Sequence, residues 1–173
     1  NNILTRKRNT AKNVLAPMGE IEPGDFGELF EGESINGESI NGQFTWDDVD
    51  RLNPLQFERW IAAKFKKAGF DVKKTQASSD YGVDLLIRKK NDSSVVALIQ
   101  AKHKLHVDDS LQLGHAYYEK IRKQSAAYKA PHARFAIVSN ASKASGSQKA
   151  AAAKHQIDIC LREELDELIG SLS

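Results

Sequence analysis

The chain has 173 residues, 40% of them apolar, with 25 Lys and Arg against 23 Asp and Glu. That length suits one domain with a real core and some additional sequence. No stretch approaches the roughly 18 uncharged apolar residues that a membrane span needs, and a single cysteine, Cys160, excludes an internal disulfide.

The near-neutral total hides an asymmetry. Residues 13–50 hold ten acids and no Lys or Arg, whereas 51–173 hold 21 basic and 13 acidic residues, a surplus of eight positive charges. A basic globular part suggests a polyanionic partner, although a solvated surface produces the same count. With no initiator Met and no signal-peptide pattern, the chain is expected to be part of a longer product. Cys160, inside the apolar run Ile157–Leu161, reads as a small core residue of a reducing, cytoplasmic compartment.

Residues 1–12 form a basic tail with Arg6, Lys7, Arg8 and Lys12. Residues 16–43 are rich in Gly, Glu, Ser and Asn and contain the repeat Glu33–Gly37, Glu38–Gly42, too few copies for a solenoid. This reads as an acidic linker. Thr45 and Asp48 have the spacing of a short capped turn. The domain division expected is therefore 1–50 as tail, acidic segment and capped turn, and 51–173 as the folded domain.

Asn53-Pro54 opens a helix that runs to about Ala68 and stops at Gly69. At 100° per residue Leu55, Phe57, Ile61, Ala62, Phe65 and Ala68 make an apolar stripe. Trp60 falls off the stripe, as a partly exposed residue would. Glu58 falls inside it, where a carboxylate is costly unless something binds it. A backbone amide or an Arg would suffice, and so would a functional site.

An edge-like strand follows at Phe70–Thr75, then a polar loop, 76–82. Two apolar runs, Gly82–Arg88 and Val95–Lys102, flank a polar turn and read as a hairpin. With the turn centred near Asp92, Asp84 lies opposite Gln100, and Lys102, two residues on, shares their face. A helix is expected from about Val107 to Tyr128, capped near Asp108 or Asp109. A buried strand at Arg134–Ser139, a helix at Ser145–His155, a strand at Gln156–Cys160 and a helix at Arg162–Ile169 complete the chain. The order implies an α/β fold with a central mixed β-sheet flanked by helices. The first three strands form a meander, and the later ones need crossovers.

Asp84 and the carbonyl of Gln100 are oxygen ligands suited to a hard cation such as Mg2+. The ammonium of Lys102 is unsuited to ligation but can orient a water or stabilise charge on a phosphate. With Glu58, the set has the equipment for metal-assisted phosphodiester hydrolysis. His103, Lys104, His106 and Lys143 are candidate nucleic-acid contacts, with exposed solvated positions as the alternative. No Cys or His set has zinc spacing.

Asp84 followed by Gln100-Ala101-Lys102 after a hairpin resembles the PD-(D/E)xK nuclease superfamily. The Gln in place of a second acid looks like its Mrr-like restriction endonuclease branch. The resemblance runs from about Asn53 to Ile169 and takes in Phe57-Glu58, Ser79–Asp84, Gln100–His103, Phe135–Asn140 and Ile157–Leu165. It implies a three-layer restriction-endonuclease-like fold. It also implies a restriction or defence endonuclease cutting DNA, with Mg2+ as cofactor and Mn2+ as a substitute. Asp84, Gln100 and Glu58 would hold the metal and Lys102 would act at the water. Tyr81 departs from the small residue, usually Gly, often found there. One such centre cuts one strand at a time, so double-strand cleavage calls for a homodimer or two successive nicks. The alternatives are a nuclease-like module that binds nucleic acid without cutting it, motivated by the neutral Gln100, and a signalling module docked through the acidic segment.

Overall fold

A computed structural model describes residues 45–75, 82–106 and 110–172. The basic tail, the acidic repeat, Asp80, Tyr81, Asp108 and Asp109 lie outside the described residues.

The first helix, α1 (Trp46–Asp50), is closed by the expected capping box: Thr45 Oγ1 accepts from the Asp48 amide, and the Asp48 carboxylate accepts from the Thr45 amide. Helix α2 (Pro54–Lys67) carries a second box between Asn53 and Gln56, with both bonds at 2.9 Å. Each box satisfies amides that the first turn of a helix leaves unpaired. Gly69, at φ 96°, lets the chain leave α2 in a left-handed conformation.

Among the described residues five strands follow in spatial order β1–β2–β3–β4–β5: β1 (Asp71–Lys74), β2 (Leu85–Arg88), β3 (Val95–Lys102), β4 (Arg134–Ser139) and β5 (Ile157–Leu161). The first three pair antiparallel, and β3, β4 and β5 run parallel. The parallel pairs are reached through crossover helices α3 (His115–Ser125), continued by one 3-10 turn at Ala126–Tyr128, and α4 (Gly146–Lys154). Helix α5 (Glu164–Ser171) ends the fold.

Alternation along the strands makes two cores. Ala97 and Ile99 of β3 face one side, where they join Phe57, Ile61 and Phe65 of α2, Val49 of α1, and Leu165 and Leu168 of α5. Leu98 faces the other side with Tyr118 and Ile121 of α3 and Ala151 and Ala152 of α4. The result is a three-layer α/β fold, as the element order implies. Cys160 is buried in the first core, and burial pushes its thiol up to about 12, helped by the nearby Asp158 and Glu164 charges.

Three expectations need correction. Trp60 is buried, 7% exposed, because α1 folds back beside α2. Trp46 meets its ring edge-on at 5.3 Å, and Phe57 stacks on it at 5.8 Å. Leu55 and Ala68 leave the apolar stripe: Leu55 is 46% exposed and Ala68 is exposed at the helix end. Helix α3 begins at His115, eight residues later than expected. The Leu111 amide donates to the Lys143 carbonyl at 2.9 Å, and Leu111 bridges Ala144 in parallel, which holds that residue extended.

Candidate active site

The hairpin register puts Leu85 opposite Ile99, Leu86 opposite Leu98 and Ile87 opposite Ala97. One step further, that register brings Asp84 to Gln100. The Gln100 Nε2 amide donates to Asp84 Oδ2 at 2.6 Å, and the Ala101 backbone N–H donates to the same oxygen at 2.7 Å. Asp84 is also fixed through its backbone. Its N–H donates to the Ile99 carbonyl at 2.8 Å, and its own carbonyl accepts from the Thr75 N–H at 2.9 Å and the Thr75 hydroxyl at 3.2 Å. Lys102 is anchored at its carbonyl by the Ser139 hydroxyl of β4 at 2.6 Å.

These groups open onto one cleft of about 340 Å³, lined by Glu58, Asp84, Gln100 and Lys102 together. Helix α2 supplies Glu58 and Leu55 from one face of the sheet. Helix α3 supplies Tyr117, Lys120, Ile121 and Gln124 from the other. Glu58 is thus a cleft acid rather than a core acid. Its Oε2 pairs with Lys74 Nζ of β1 at 2.8 Å, and its side chain is 22% exposed. Lys102 Nζ lies over the Tyr117 ring, 5.1 Å from its centre.

Burial raises the Asp84 pKa, and the Glu58 charge adds to the rise. The Ala101 N–H and the ammonium groups of Lys102 and Lys74 oppose it. A half-buried acid beside a second acid, with an amide in contact, is a donor set that a hard cation would relieve. The oxygen chemistry therefore fits a divalent metal, with Asp84, Glu58 and the Gln100 carbonyl as the groups to hold it. Among the described residues no cluster of three or more His, Cys, Asp or Glu side chains is arranged for a metal.

The four candidate nucleic-acid contacts do not line the cleft. His103 packs edge-on against Phe57, ring centres 5.2 Å apart, with Nε2 at 3.2 Å from the Val49 carbonyl. The Lys104 N–H donates to the buried Asn140 Oδ1 at 2.6 Å. His106 and Lys143 are exposed. Sequence reasoning missed Lys74, Tyr117, Lys120 and Gln124. Lys74 was legible only as one alternating position of an edge strand, and the three α3 residues lay within the expected helix but carried no signal that they line the cleft.

The fold is a three-layer α/β one with an acidic and basic cleft, and comparison gives the family. Residues 49–169 match the family model of the Mrr catalytic domain, described as a restriction endonuclease. The chain belongs to that family. Among solved structures it is similar to the restriction endonuclease FokI bound to DNA, with a TM-score of 0.44 and 13% identity over 73% of this chain. It spans only 26% of the FokI chain. No curated protein matches it in sequence. Among the described residues no helix is long and apolar enough to cross a membrane.

Proposed function

We propose that this chain is a divalent-metal-dependent DNA endonuclease domain of restriction or defence type, acting in the cytoplasm. The observation that carries the reading is the convergence of Glu58, Asp84, Gln100 and Lys102 on one cleft, with Asp84 and Gln100 in direct contact. When bound, Mg2+ or Mn2+ would neutralise charge on a phosphoryl oxygen and acidify a water.

The protein's own residues do the rest. Asp84 and Glu58 supply the carboxylates, and Thr75, Ile99 and Ala101 hold Asp84 in place. The Lys102 ammonium, steadied over the Tyr117 ring, orients the attacking water and stabilises the negative charge that grows on the phosphate. Gln100 now donates its NH2 to Asp84, and it would hold a cation beside Asp84 through its carbonyl oxygen. Cutting both strands of a duplex calls for two such clefts, hence a homodimer, or for two successive nicks.

The test is Lys102→Ala. Metal-dependent cleavage of duplex DNA is expected to be abolished while binding persists, and undiminished cleavage would sink the reading. A second reading, binding without cutting, is favoured by the Gln100 NH2 facing Asp84 in this structure. Titrating Mg2+ or Mn2+ against duplex and single-stranded DNA separates the two, since only the enzyme yields metal-dependent fragments.

A further inference from the structure

Both acids of the cleft are engaged by the protein itself, but by partners of different kinds. Asp84 Oδ2 is held by the Gln100 amide and the Ala101 N–H, both set by strand β3. Glu58 Oε2 is held at 2.8 Å by Lys74, whose side chain is 40% exposed on the edge strand β1. A lysine carries its charge on a flexible four-carbon stem and can leave without disturbing the backbone. Lys102 lies over the Tyr117 ring, and Lys120 lines the cleft from α3. Lys74 is therefore the lysine of the cleft that sits where a cation would sit. A carboxylate has lone pairs for more than one partner, but an ammonium 2.8 Å from Glu58 Oε2 repels a divalent ion that approaches the same group.

Resting on the reading that Glu58 helps hold a divalent ion, we infer that Lys74 is the resident counter-cation of Glu58. It is a positioning residue that occupies the acid in the metal-free protein and competes with the ion for its charge. Lys74 thus weakens metal affinity in the absence of substrate while keeping Glu58 turned toward the cleft.

The test is calorimetric titration of the 173-residue chain with Mn2+ alone, without DNA. Lys74→Met keeps the stem and removes the charge. It is expected to bind Mn2+ about tenfold more tightly, the lower end of what neighbouring groups do to metal affinity. Lys74→Arg keeps the ion pair and is expected to bind no more tightly than wild type. In a Glu58→Gln background, the tightening from Lys74→Met is expected to shrink to the weaker effect of the Lys74 charge on Asp84. Equal or weaker binding by Lys74→Met, or tightening undiminished by Glu58→Gln, overturns the inference. A Mn2+ signal that Asp84→Asn abolishes but Lys74→Met leaves unmoved discards the counter-cation and keeps the metal site. Absence of any Mn2+ signal in all variants discards both.

Discussion

Gly82 is the position where a single methyl group should matter most. It has φ 61°, a left-handed conformation, and it lines the cleft two residues before Asp84. A Cβ there would lie 2.5 Å from Cγ2 and 2.9 Å from Cβ of Ile121, and 3.5 Å from the Gln100 Oε1. Left-handed backbone costs a side-chain-bearing residue about 1–2 kcal/mol. Overpacking against a residue that is 2% exposed costs about 1–3 kcal/mol more. Reduced freedom of the unfolded chain returns about 0.4–1 kcal/mol. Gly82→Ala is therefore expected to lose about 2–4 kcal/mol, read by urea unfolding with the fluorescence of core Trp60 and its neighbour Trp46. Ile121→Ala alone should lose about 2–5 kcal/mol as a cavity. The double variant should lose less than the sum, because the Cγ2 that meets the new methyl is gone. A loss below about 0.5 kcal/mol for Gly82→Ala, or strict additivity with Ile121→Ala, would refute the close-contact argument.

Other outcomes follow from the same cleft and its supports. In metal-free buffer Asp84→Asn should stabilise the protein at neutral pH. The folded pKa of Asp84 is raised above the ordinary 3.8, so its burial cost is fully present when it is ionised in both states. As pH falls through the folded value toward 3.8, the folded protein takes up the proton first, and the advantage of Asn should shrink. An advantage that grows on acidification would contradict this sign. Tyr117→Phe should keep the ring under Lys102 and keep cleavage. Tyr117→Leu should slow single-turnover cleavage about two- to fivefold, the worth of one cation–π contact, and equal rates for the two would remove Tyr117 from the site. Asp50→Ala should cost about 3–5 kcal/mol. It strips Arg162 Nη2 and Asn140 Nδ2, each at 2.9 Å, of their shared acceptor. A thermal melt within a degree of wild type would show that water replaces Asp50.

Much of this site was legible because strand chemistry is local. The hairpin midpoint near Asp92 sufficed to pair Asp84 with Gln100, and the bulge between Ile87 and Arg88 lies on the turn side of that pair. Periodicity found every strand and helix after Asn53 in order. It failed where a distant element decided the outcome. Trp60 is off the α2 stripe by angle, yet α1 covers it. Leu55 is on the stripe by angle but sits in the first turn, where α2 borders the cleft. The segment before α3 carries cap-like residues, but Leu111 is tied to Lys143 and Ala144. Glu58 stood out as an anomaly, while Lys74, its partner, looked like any solvated strand lysine. Ion pairs between separate elements leave no periodic trace in sequence.

The polar cluster around Asn140 also bears on where the chain tolerates being cut. Asn140, fully buried, bonds both the amide and the carbonyl of Lys104 at the exit of β3, and it reaches Asp50 at the end of α1. Asp50 in turn holds Arg162 at the exit of β5, and Arg162 lies over the Trp46 ring, 5.5 Å from its centre. Five residues of helix thus fasten the ends of three parallel strands. A protein trimmed to begin at residue 51 would keep every group of the cleft. It would also leave a largely buried guanidinium without its carboxylate and uncover the flank of Trp60. Proteolysis should therefore spare the Trp46–Asp50 turn, and the shortest fragment that keeps the segment after Lys102 in place begins no later than Thr45.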